Sequence, residues 1–267
     1  MKLKHIDGGN AFDWGKTSDD YAKYRDIYPD AFYQKILDLG LCKEGQRILD
    51  LGTGTGVLPR HLAKHGAKFV GIDISENQVT QARKLSEGMD IEYFVSPAEE
   101  ARFPDCTFDG ALACQCFTYF NQELLLPRLS RMLKDDGRFC IMSLIWLPAE
   151  STILAGSEAL VLKYNPSWNG AGCTRPTFAS NGTQTEFNIG ASLGFEVDTA
   201  FSFDIPVSFT RESWHGRMKA CRGIGASSLA PELIAAFEKD HLQFLEGHPE
   251  SFEVLHSANF CVLRKSP

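Results

Sequence analysis

The stretch Arg47-Ile48-Leu49-Asp50-Leu51-Gly52-Thr53-Gly54-Thr55-Gly56 decides the fold of this chain. Its first half is a short apolar run, typical of a buried parallel strand. The alternating glycines that follow predict a sharp turn whose backbone can approach a ligand closely, because no side chain stands in the way. Residues 57–65 then predict a helix that ends at Gly66, and residues 69–74 form a second apolar run. The order is therefore strand, glycine turn, helix, strand.

Two carboxylates flank this turn. Asp73 lies 17 residues after Gly56, at the carboxyl end of the second predicted strand, where it can accept hydrogen bonds from both hydroxyls of a ribose. Asp50 precedes the first glycine by two residues; there it would repel a pyrophosphate but suit a cation such as an amino-acid ammonium. The spacing G-x-G-x-G also differs from the G-x-G-x-x-G of dinucleotide-binding proteins.

The motif Asp50-Leu51-Gly52-Thr53-Gly54-Thr55-Gly56, with the distal Asp73, resembles the class I S-adenosylmethionine-dependent methyltransferases, particularly those acting on small molecules. The resemblance extends over roughly residues 18–145. It implies an α/β fold: a Rossmann-like, seven-stranded, mostly parallel sheet with helices on both faces, an antiparallel last strand and, here, helical cap insertions. It also implies S-adenosylmethionine as cofactor and S-adenosylhomocysteine as product.

The resemblance further implies which residues contact the cofactor. Residues 24–29 resemble the element Y-R-x-x-Y-P, in which Tyr and Arg reach the methionine carboxylate, a task that suits the planar guanidinium of Arg25. An alternative is a surface helix in which Arg25 pairs with a neighbouring aspartate. Pro97 stands where the family often has Asp, which leaves Glu99 as a candidate adenine partner. The expected cofactor contacts are Tyr21, Arg25, Asp50, Gly52, Thr53, Gly54, Asp73, Ile74, Gln78, Ala98, Glu99 and Gln115.

Residues outside the cofactor-binding motifs are expected to determine the substrate specificity. The predicted organisation is an N-terminal arm with lid helices (1–40), the cofactor-binding core (41–145), a cap insertion (146–182), core continued with a short helix near 185–192 (183–207), a second cap insertion with two helices (208–249) and a final core strand (250–267). Both insertions and the N-terminal helices follow or precede strands at the cofactor side of the sheet. We therefore expect a closed pocket for a small molecule.

The second insertion carries the most distinctive pattern. At helical spacing Trp214, Met218 and Cys221 share an apolar stripe. Arg217 borders one side of this stripe, and Arg211, His215 and Arg222 border the other. This segment predicts either a pocket wall whose arginines bind a carboxylate or phosphate, or an amphipathic cap helix with solvated basic edges. It loosely resembles the trans-aconitate methyltransferase branch, but we do not assign the substrate of that branch to this chain. The candidate substrate contacts are Tyr119, Trp146, Trp214 and Arg217.

His215, in the same segment, is the candidate general base, because an unperturbed imidazole titrates near neutral pH. A structural or surface histidine is the alternative. A carboxylate substrate would need no base.

The composition of the chain limits which kinds of binding partner are expected. The 267 residues are 43% hydrophobic and 23% charged, which suits a globular chain with a developed core, and the net charge of −7 argues against a general nucleic-acid or anionic-membrane surface. No apolar run is long enough to span a bilayer, and the first residues lack the apolar core of a signal peptide. We expect a cytoplasmic protein. Its eight cysteines contain no C-x-x-C pair, which favours reduced thiols and no metal site.

The sequence therefore predicts a methyltransferase that transfers a methyl group by in-line displacement to a small, anionic molecule. Three alternatives remain open: a non-catalytic S-adenosylmethionine-binding protein of the same fold, a nucleotide-sugar or NAD enzyme of Rossmann type, and an enzyme that methylates tRNA or rRNA. The acceptor atom and the oligomeric state are left open.

Overall fold

The computed structural model describes residues 1–177 and 193–266. Within these ranges seven strands form one sheet in the order β3-β2-β1-β4-β5-β7-β6. The first four pairings, β1 with β2 and β4, β2 with β3, and β4 with β5, are parallel, and the last strand runs antiparallel. The predicted fold class is confirmed. The strands are β1 Arg47–Leu51, β2 Lys68–Asp73, β3 Ile91–Val95, β4 Phe108–Cys114, β5 Leu133–Trp146, β6 Phe195–Thr210 and β7 Ser251–Lys265.

Helices alternate with these strands, joined by short 3₁₀ turns. They are α1 Ser18–Tyr24, α2 Asp30–Asp38, α3 Val57–Leu62, α4 Glu76–Leu85, α5 Gln122–Met132, α6 Thr152–Tyr164, α7 Arg211–Lys219 and α8 Pro231–Glu246. Ser75 and Asn121 cap α4 and α5 through their side chains, as their sequences predict. None of the described helices is both long and apolar enough to cross a membrane.

Strand β1, which lies inside the sheet, is buried on both of its faces. In β1, residues 48–51 are buried, and Leu49 pairs with Val70 of β2 and Ala111 of β4. Burial of such side chains removes about 25 cal/mol of unfavourable hydration free energy per Å² of apolar surface. This packing fixes the ends of β1 and β2, and therefore the positions of the two carboxylates at the glycine turn.

The chain forms two compact units. One, here called the core unit, comprises Tyr28–Leu144, Pro176–Phe203 and Ala258–Pro267; the other, the cap unit, comprises Met1–Ile27, Ile145–Arg175 and Asp204–Ser257. The six-part division predicted from the sequence stays a prediction. Its short helix near 185–192 lies outside the described residues.

Three local expectations differ from the structure. The polar, Gly-rich residues 1–17 predict a mobile arm, but in the structure they pack within the cap unit: Ile6 and Phe12 are buried, and the Asp13 N–H donates to the Ala226 carbonyl at 2.7 Å. The sequence predicts a helix that begins at Ser18 and is stopped by Pro29, but α1 ends at Tyr24, with Arg25 as its C-cap.

Residues 135–137, whose sequence Asp-Asp-Gly predicts a turn, lie inside β5. Phe108 of β4 pairs with Leu133 of β5, and the next pair in the ladder is Gly110 with Arg138. The register of the two strands therefore shifts between these pairs. The residues between bulge out of the ladder, so a local turn and a continuous strand coexist.

Candidate functional site

The glycine turn between β1 and α3 requires glycine for two separate reasons. Gly52 and Gly56 both have positive φ, +64° and +74°, a region that disfavours side chains. A Cβ at Gly52 would lie 2.8 Å from the Cys116 sulfur, and one at Gly56 would lie 2.2 Å from the Tyr93 hydroxyl. Side chains of the core unit therefore pack so closely against Gly52 and Gly56 that neither position has room for a side chain of its own.

Asp73 holds this turn in shape. Its Oδ2 accepts a hydrogen bond from the Gly54 N–H at 3.0 Å and its Oδ1 accepts one from the Ser75 N–H at 2.8 Å. Burial raises the pKa of Asp73, and these two backbone bonds oppose that rise. Each carboxylate oxygen has a further lone pair, so the geometry leaves acceptor capacity for the two hydroxyls of a ribose.

Asp50 is a buried carboxylate, with only 2% of its surface exposed. The Thr53 hydroxyl donates to its Oδ2 at 2.6 Å, and the Thr53 N–H donates to the Ile72 carbonyl at 2.9 Å. Burial raises the pKa of Asp50 to about 7, and the charge of Asp73 adds to that rise. Two neighbouring carboxylates that are costly to ionise create a site that favours a cationic ligand.

The remaining predicted cofactor contacts of the core unit are spread around this turn. Ile74 follows β2 directly and is exposed, whereas Gln78, in the first turn of α4, and Ala98 are buried. Glu99 accepts a hydrogen bond from the Asn121 N–H at 2.6 Å, so its carboxylate already caps the residue before α5.

Gln115, at the carboxyl end of β4, has a positive φ of +63°. Its side-chain Nε2 donates to the Leu144 carbonyl at 2.5 Å. Such a conformation in a residue with a side chain is strained, and strain of this kind concentrates at functional sites. Tyr119, predicted as a substrate contact, is half-buried in the following 3₁₀ turn, where its N–H donates to the Cys116 carbonyl at 2.9 Å.

In the cap unit, the structure brings Tyr21 and Arg25 together. The Arg25 guanidinium carbon lies 4.9 Å from the centre of the Tyr21 ring and 5.6 Å from that of Trp14. Stacking on two aromatic faces orients the planar guanidinium. The pair predicted to reach a carboxylate is thus assembled within its own unit, and its role stays a prediction.

The predicted substrate residues of the cap unit also meet. Trp214 is fully buried, with its ring centre 5.9 Å from that of Trp146, and its Nε1–H donates to the Ser157 hydroxyl at 3.0 Å. These contacts are those of a packing anchor. Arg217 is 4% exposed, and its guanidinium carbon lies 5.0 Å from the centre of the Trp146 ring and 5.9 Å from that of Phe209. Arg217 is therefore buried, whereas Arg211, His215 and Arg222 on the other border of the stripe are half-buried. The choice between a pocket wall and an amphipathic cap helix stays a prediction.

His215 belongs to a hydrogen-bonded chain that fixes its protonation. The Ser157 hydroxyl donates to the Ile153 carbonyl at 2.7 Å, so its oxygen accepts from His241 Nε2 at 3.0 Å. His241 Nδ1 is then the acceptor for His215 Nδ1, also at 3.0 Å. The free nitrogen of a neutral His215 is therefore Nε2, which lies 4.0 Å from Glu238 Oε1. Burial lowers the pKa of His215, which keeps the ring neutral.

His215 opens onto a cavity of about 410 Å³ within the cap unit, lined by residues of α1, α7 and α8, among them Asp20, Tyr24, Lys219 and Glu238. Lys219 bridges Glu238 at 2.8 Å and Asp20 at 3.4 Å. The lone pair of His215 thus faces an ion-paired surface, and its role as a general base stays a prediction.

Comparison with known proteins identifies the core unit. Residues 49–141 match the family model described as a methyltransferase domain. This chain contains a methyltransferase domain. The methyltransferase phqN of Penicillium fellutanum is 37% identical over 103 residues, 36% of this chain and 32% of its own length. Demethylmenaquinone methyltransferase of Thermus thermophilus is 34% identical over 114 residues, 41% of this chain and 52% of its own.

The methyltransferase domain therefore carries the sequence likeness, and these matches span about half or less of the curated relatives' own lengths. Likeness of fold extends further. The YcgJ protein of Bacillus subtilis superposes with a TM-score of 0.53 at 17% identity, covering 90% of this chain and all of that one. At that identity the comparison concerns the fold alone.

Sequence reasoning missed how Cys116 and Phe120 cover the turn of the methyltransferase domain. The Cys116 thiol donates to the Leu51 carbonyl at 3.0 Å, and both side chains approach the position of a Cβ on Gly52. The signal was present, since β4 neighbours β1 and the loop that follows it must pass the end of β1. All eight cysteines are free thiols, as expected.

Proposed function

We propose that this protein is an S-adenosylmethionine-dependent methyltransferase that acts on a small, anionic molecule. One observation carries the proposal: within a methyltransferase domain, the glycine turn is closed by Asp73 through the N–H groups of Gly54 and Ser75. That geometry leaves two carboxylate oxygens with spare acceptor capacity beside the glycine backbone of the turn.

The residues present fit this cofactor. Ribose hydroxyls are donors, which suits Asp73; an ammonium is a cation, which suits the desolvated carboxylate of Asp50. Arg25, stacked on Tyr21, suits the carboxylate of the amino-acid end. Glu99 is a weaker candidate for the adenine, because its carboxylate already binds the Asn121 N–H.

When bound, S-adenosylmethionine supplies a methyl group on a positively charged sulfur, a good leaving group that needs no protonation. The protein's own task is positioning. Asp50 and Asp73 hold the amino-acid and sugar ends of the cofactor at the glycine turn of the core unit. Orientation of this kind lowers a barrier by up to about 7–11 kcal/mol. His215 Nε2 would be the acceptor for a proton if the nucleophile carries one.

An anionic substrate is supported by the positive charge of Arg217, which lies among aromatic rings of the cap unit. Arg217 is buried against the rings of Trp146 and Phe209, and its planar, permanently charged guanidinium matches the geometry of a carboxylate or phosphate. The same charge is among the causes that lower the pKa of His256 to about 3, after burial itself. We expect a carboxylate or phosphate of the substrate to bind near Arg217.

Calorimetry tests the cofactor directly. S-adenosylhomocysteine should bind with measurable heat, NAD should not, and Asp73→Ala should weaken the binding at least about tenfold through loss of the ribose bonds. Asp105→Ala, at an exposed site in the same unit, is the matched control. Thermal unfolding of both variants separates lost recognition from a disordered turn. Heat with NAD and none with S-adenosylhomocysteine would overturn the proposal.

Transfer of a labelled methyl group to a panel of small carboxylates and phosphates tests the reaction. We expect product with at least one anionic acceptor, and loss of product in Arg217→Met, which keeps the aliphatic stem and removes the charge. Tight cofactor binding without transfer to any acceptor would instead support the non-catalytic binding protein.

A further inference from the structure

One row of paired residues crosses β1, β2 and β3 next to the glycine turn of the core unit. Asp50 of β1 pairs with Gly71 of β2, and Gly71 pairs with Tyr93 of β3. Residues paired directly across parallel strands direct their side chains to the same face of the sheet, because the pleats of the strands are aligned. Gly71 has no side chain, so the row leaves a space between Asp50 and Tyr93.

The ring of Tyr93 borders that space and extends towards the turn. A Cβ on Gly71 would lie 2.8 Å from both Cδ1 and Cε1 of Tyr93, and 2.7 Å from the Thr53 hydroxyl oxygen. The ring and the Thr53 hydroxyl therefore adjoin the same position. At the far end of the ring, the Tyr93 hydroxyl would meet a Cβ on Gly56. One tyrosine thus packs against both ends of the turn segment 53–56.

Helix α4 holds Tyr93 in this place. Tyr93 is 6% exposed, and its hydroxyl shares a hydrogen bond of 2.9 Å with the hydroxyl of Ser86, the C-cap residue of α4. The Arg83 guanidinium, in the last turn of the same helix, donates to the Tyr93 carbonyl at 2.7 Å. The side chain and the backbone of Tyr93 are therefore both fixed by one helix end.

Thr53 links Tyr93 to Asp50. It is 7% exposed, and its hydroxyl donates to Asp50 Oδ2 at 2.6 Å. Burial, and after it the charge of Asp50, raises the pKa of Tyr93 to about 12, so the phenol stays neutral beside the carboxylate. Protein interiors are close-packed, so removal of the ring would leave space into which Thr53 can turn. The carboxylate of Asp50 would then lose the donor that orients it.

We propose that Tyr93 is a positioning residue for the amino-acid end of the cofactor, because it holds Thr53, and through it Asp50, in the orientation that receives the ammonium group. This inference rests on the proposed function, in which Asp50 binds that group. Asp73, the expected partner of the ribose, is held separately by two backbone N–H groups. Loss of Tyr93 should therefore weaken binding of the amino-acid end more than binding of the sugar.

The experiment compares two ligands that differ only at that end. S-adenosylhomocysteine carries the amino acid, whereas 5′-methylthioadenosine has the same ribose and adenine with a methyl group on sulfur in its place. Calorimetry on the full chain gives the ratio of their affinities. Tyr93→Leu should lower this ratio about fivefold or more, part of what a hydrogen bond to a charged group contributes. Tyr93→Phe, which keeps the ring, should retain most of the ratio.

A double variant tests whether Tyr93 acts through Asp50. In an Asp50→Asn background, Tyr93→Leu should leave the ratio where Asp50→Asn alone puts it, because the carboxylate that the ring orients is already gone. Two independent, multiplying losses would overturn the proposal. Should Tyr93→Leu fail to fold, Ser86→Ala decides instead: it keeps the ring, releases its hydroxyl and should also lower the ratio, and an unchanged ratio would count against Tyr93.

A matched control separates positioning from general destabilisation. Phe108→Leu also removes a fully buried ring, but at the start of β4, the opposite end from the turn. It should lower the thermal unfolding temperature and leave the ratio unchanged. Equal weakening of both ligands by Tyr93→Leu would show that Tyr93 has a structural role only and would overturn the inference. Failure of the wild type to bind S-adenosylhomocysteine would overturn the proposed function itself.

Discussion

Replacing Asp50 by Asn should make the ligand-free protein more stable at neutral pH while weakening its affinity for the cofactor. Burial raises the pKa of this carboxyl to about 7 from the usual 3.8. A group whose pKa is raised on folding binds its proton more tightly in the native state. Its destabilising effect is therefore absent below about pH 3.8, grows as the pH rises and is complete just above pH 7.

The magnitude follows from that difference. At about 1.4 kcal/mol per pH unit, ionised Asp50 costs the native state about 4 kcal/mol above pH 7, of which about 2.5 kcal/mol develops between pH 5 and pH 8. Asn keeps an oxygen that accepts from the Thr53 hydroxyl. It also leaves an amide N–H buried, a cost of about 1–3 kcal/mol that does not depend on pH.

The assay is urea unfolding of wild type and Asp50→Asn at pH 5, 6, 7 and 8. The difference in unfolding free energy should move in favour of the variant by about 2.5 kcal/mol across that range. In Asp105→Asn, at an exposed site, the difference from wild type should stay constant. A difference for Asp50→Asn that stays flat within about 0.5 kcal/mol would refute the reasoning.

Three further changes test separate parts of the structure. Gly56→Ala should lower stability by about 2 kcal/mol or more, because its Cβ would meet the Tyr93 hydroxyl in a backbone with φ of +74°; an unchanged urea midpoint would contradict that contact. Ser157→Ala should cost about 2 kcal/mol by leaving the Trp214 and His241 N–H groups unpaired, whereas Ser157→Thr should restore part of it, with thermal unfolding as the measurement. NMR titration should show a neutral His241 at all pH values above 4, since burial lowers its pKa to about 3; a titration near pH 6.5 would exclude the proposed hydrogen-bonded chain.

The core of the fold was predictable because its signals are local. The run before Gly52, the alternating glycines and the acid at position 73 each restrict the backbone within a few residues of themselves. The caps Ser75 and Asn121 did the same for two helices. These features depend on short-range sterics and hydrogen bonds, which the sequence shows directly.

The cap unit was less predictable because its chemistry depends on residues distant in sequence. Glu158 looks like an ordinary helical glutamate until the chain places Gly172 and Trp146 beside it. His215 invited a catalytic interpretation, but its protonation is set by Ser157 and His241, 58 and 26 residues away. The burial of Phe12 at the N-terminus likewise has no local signal.

Asp73 has a consequence for anyone who wishes to redesign this protein for an altered methyl donor under the proposed function. Its carboxylate ties down two backbone N–H groups of the loop and is also the expected partner of the sugar. Recognition and architecture therefore share the same pair of oxygen atoms, and exchanging that side chain changes both at once. Variants that accept a synthetic donor should instead be sought at Ile74, the next residue, whose side chain is exposed and which no strand pairing holds in place.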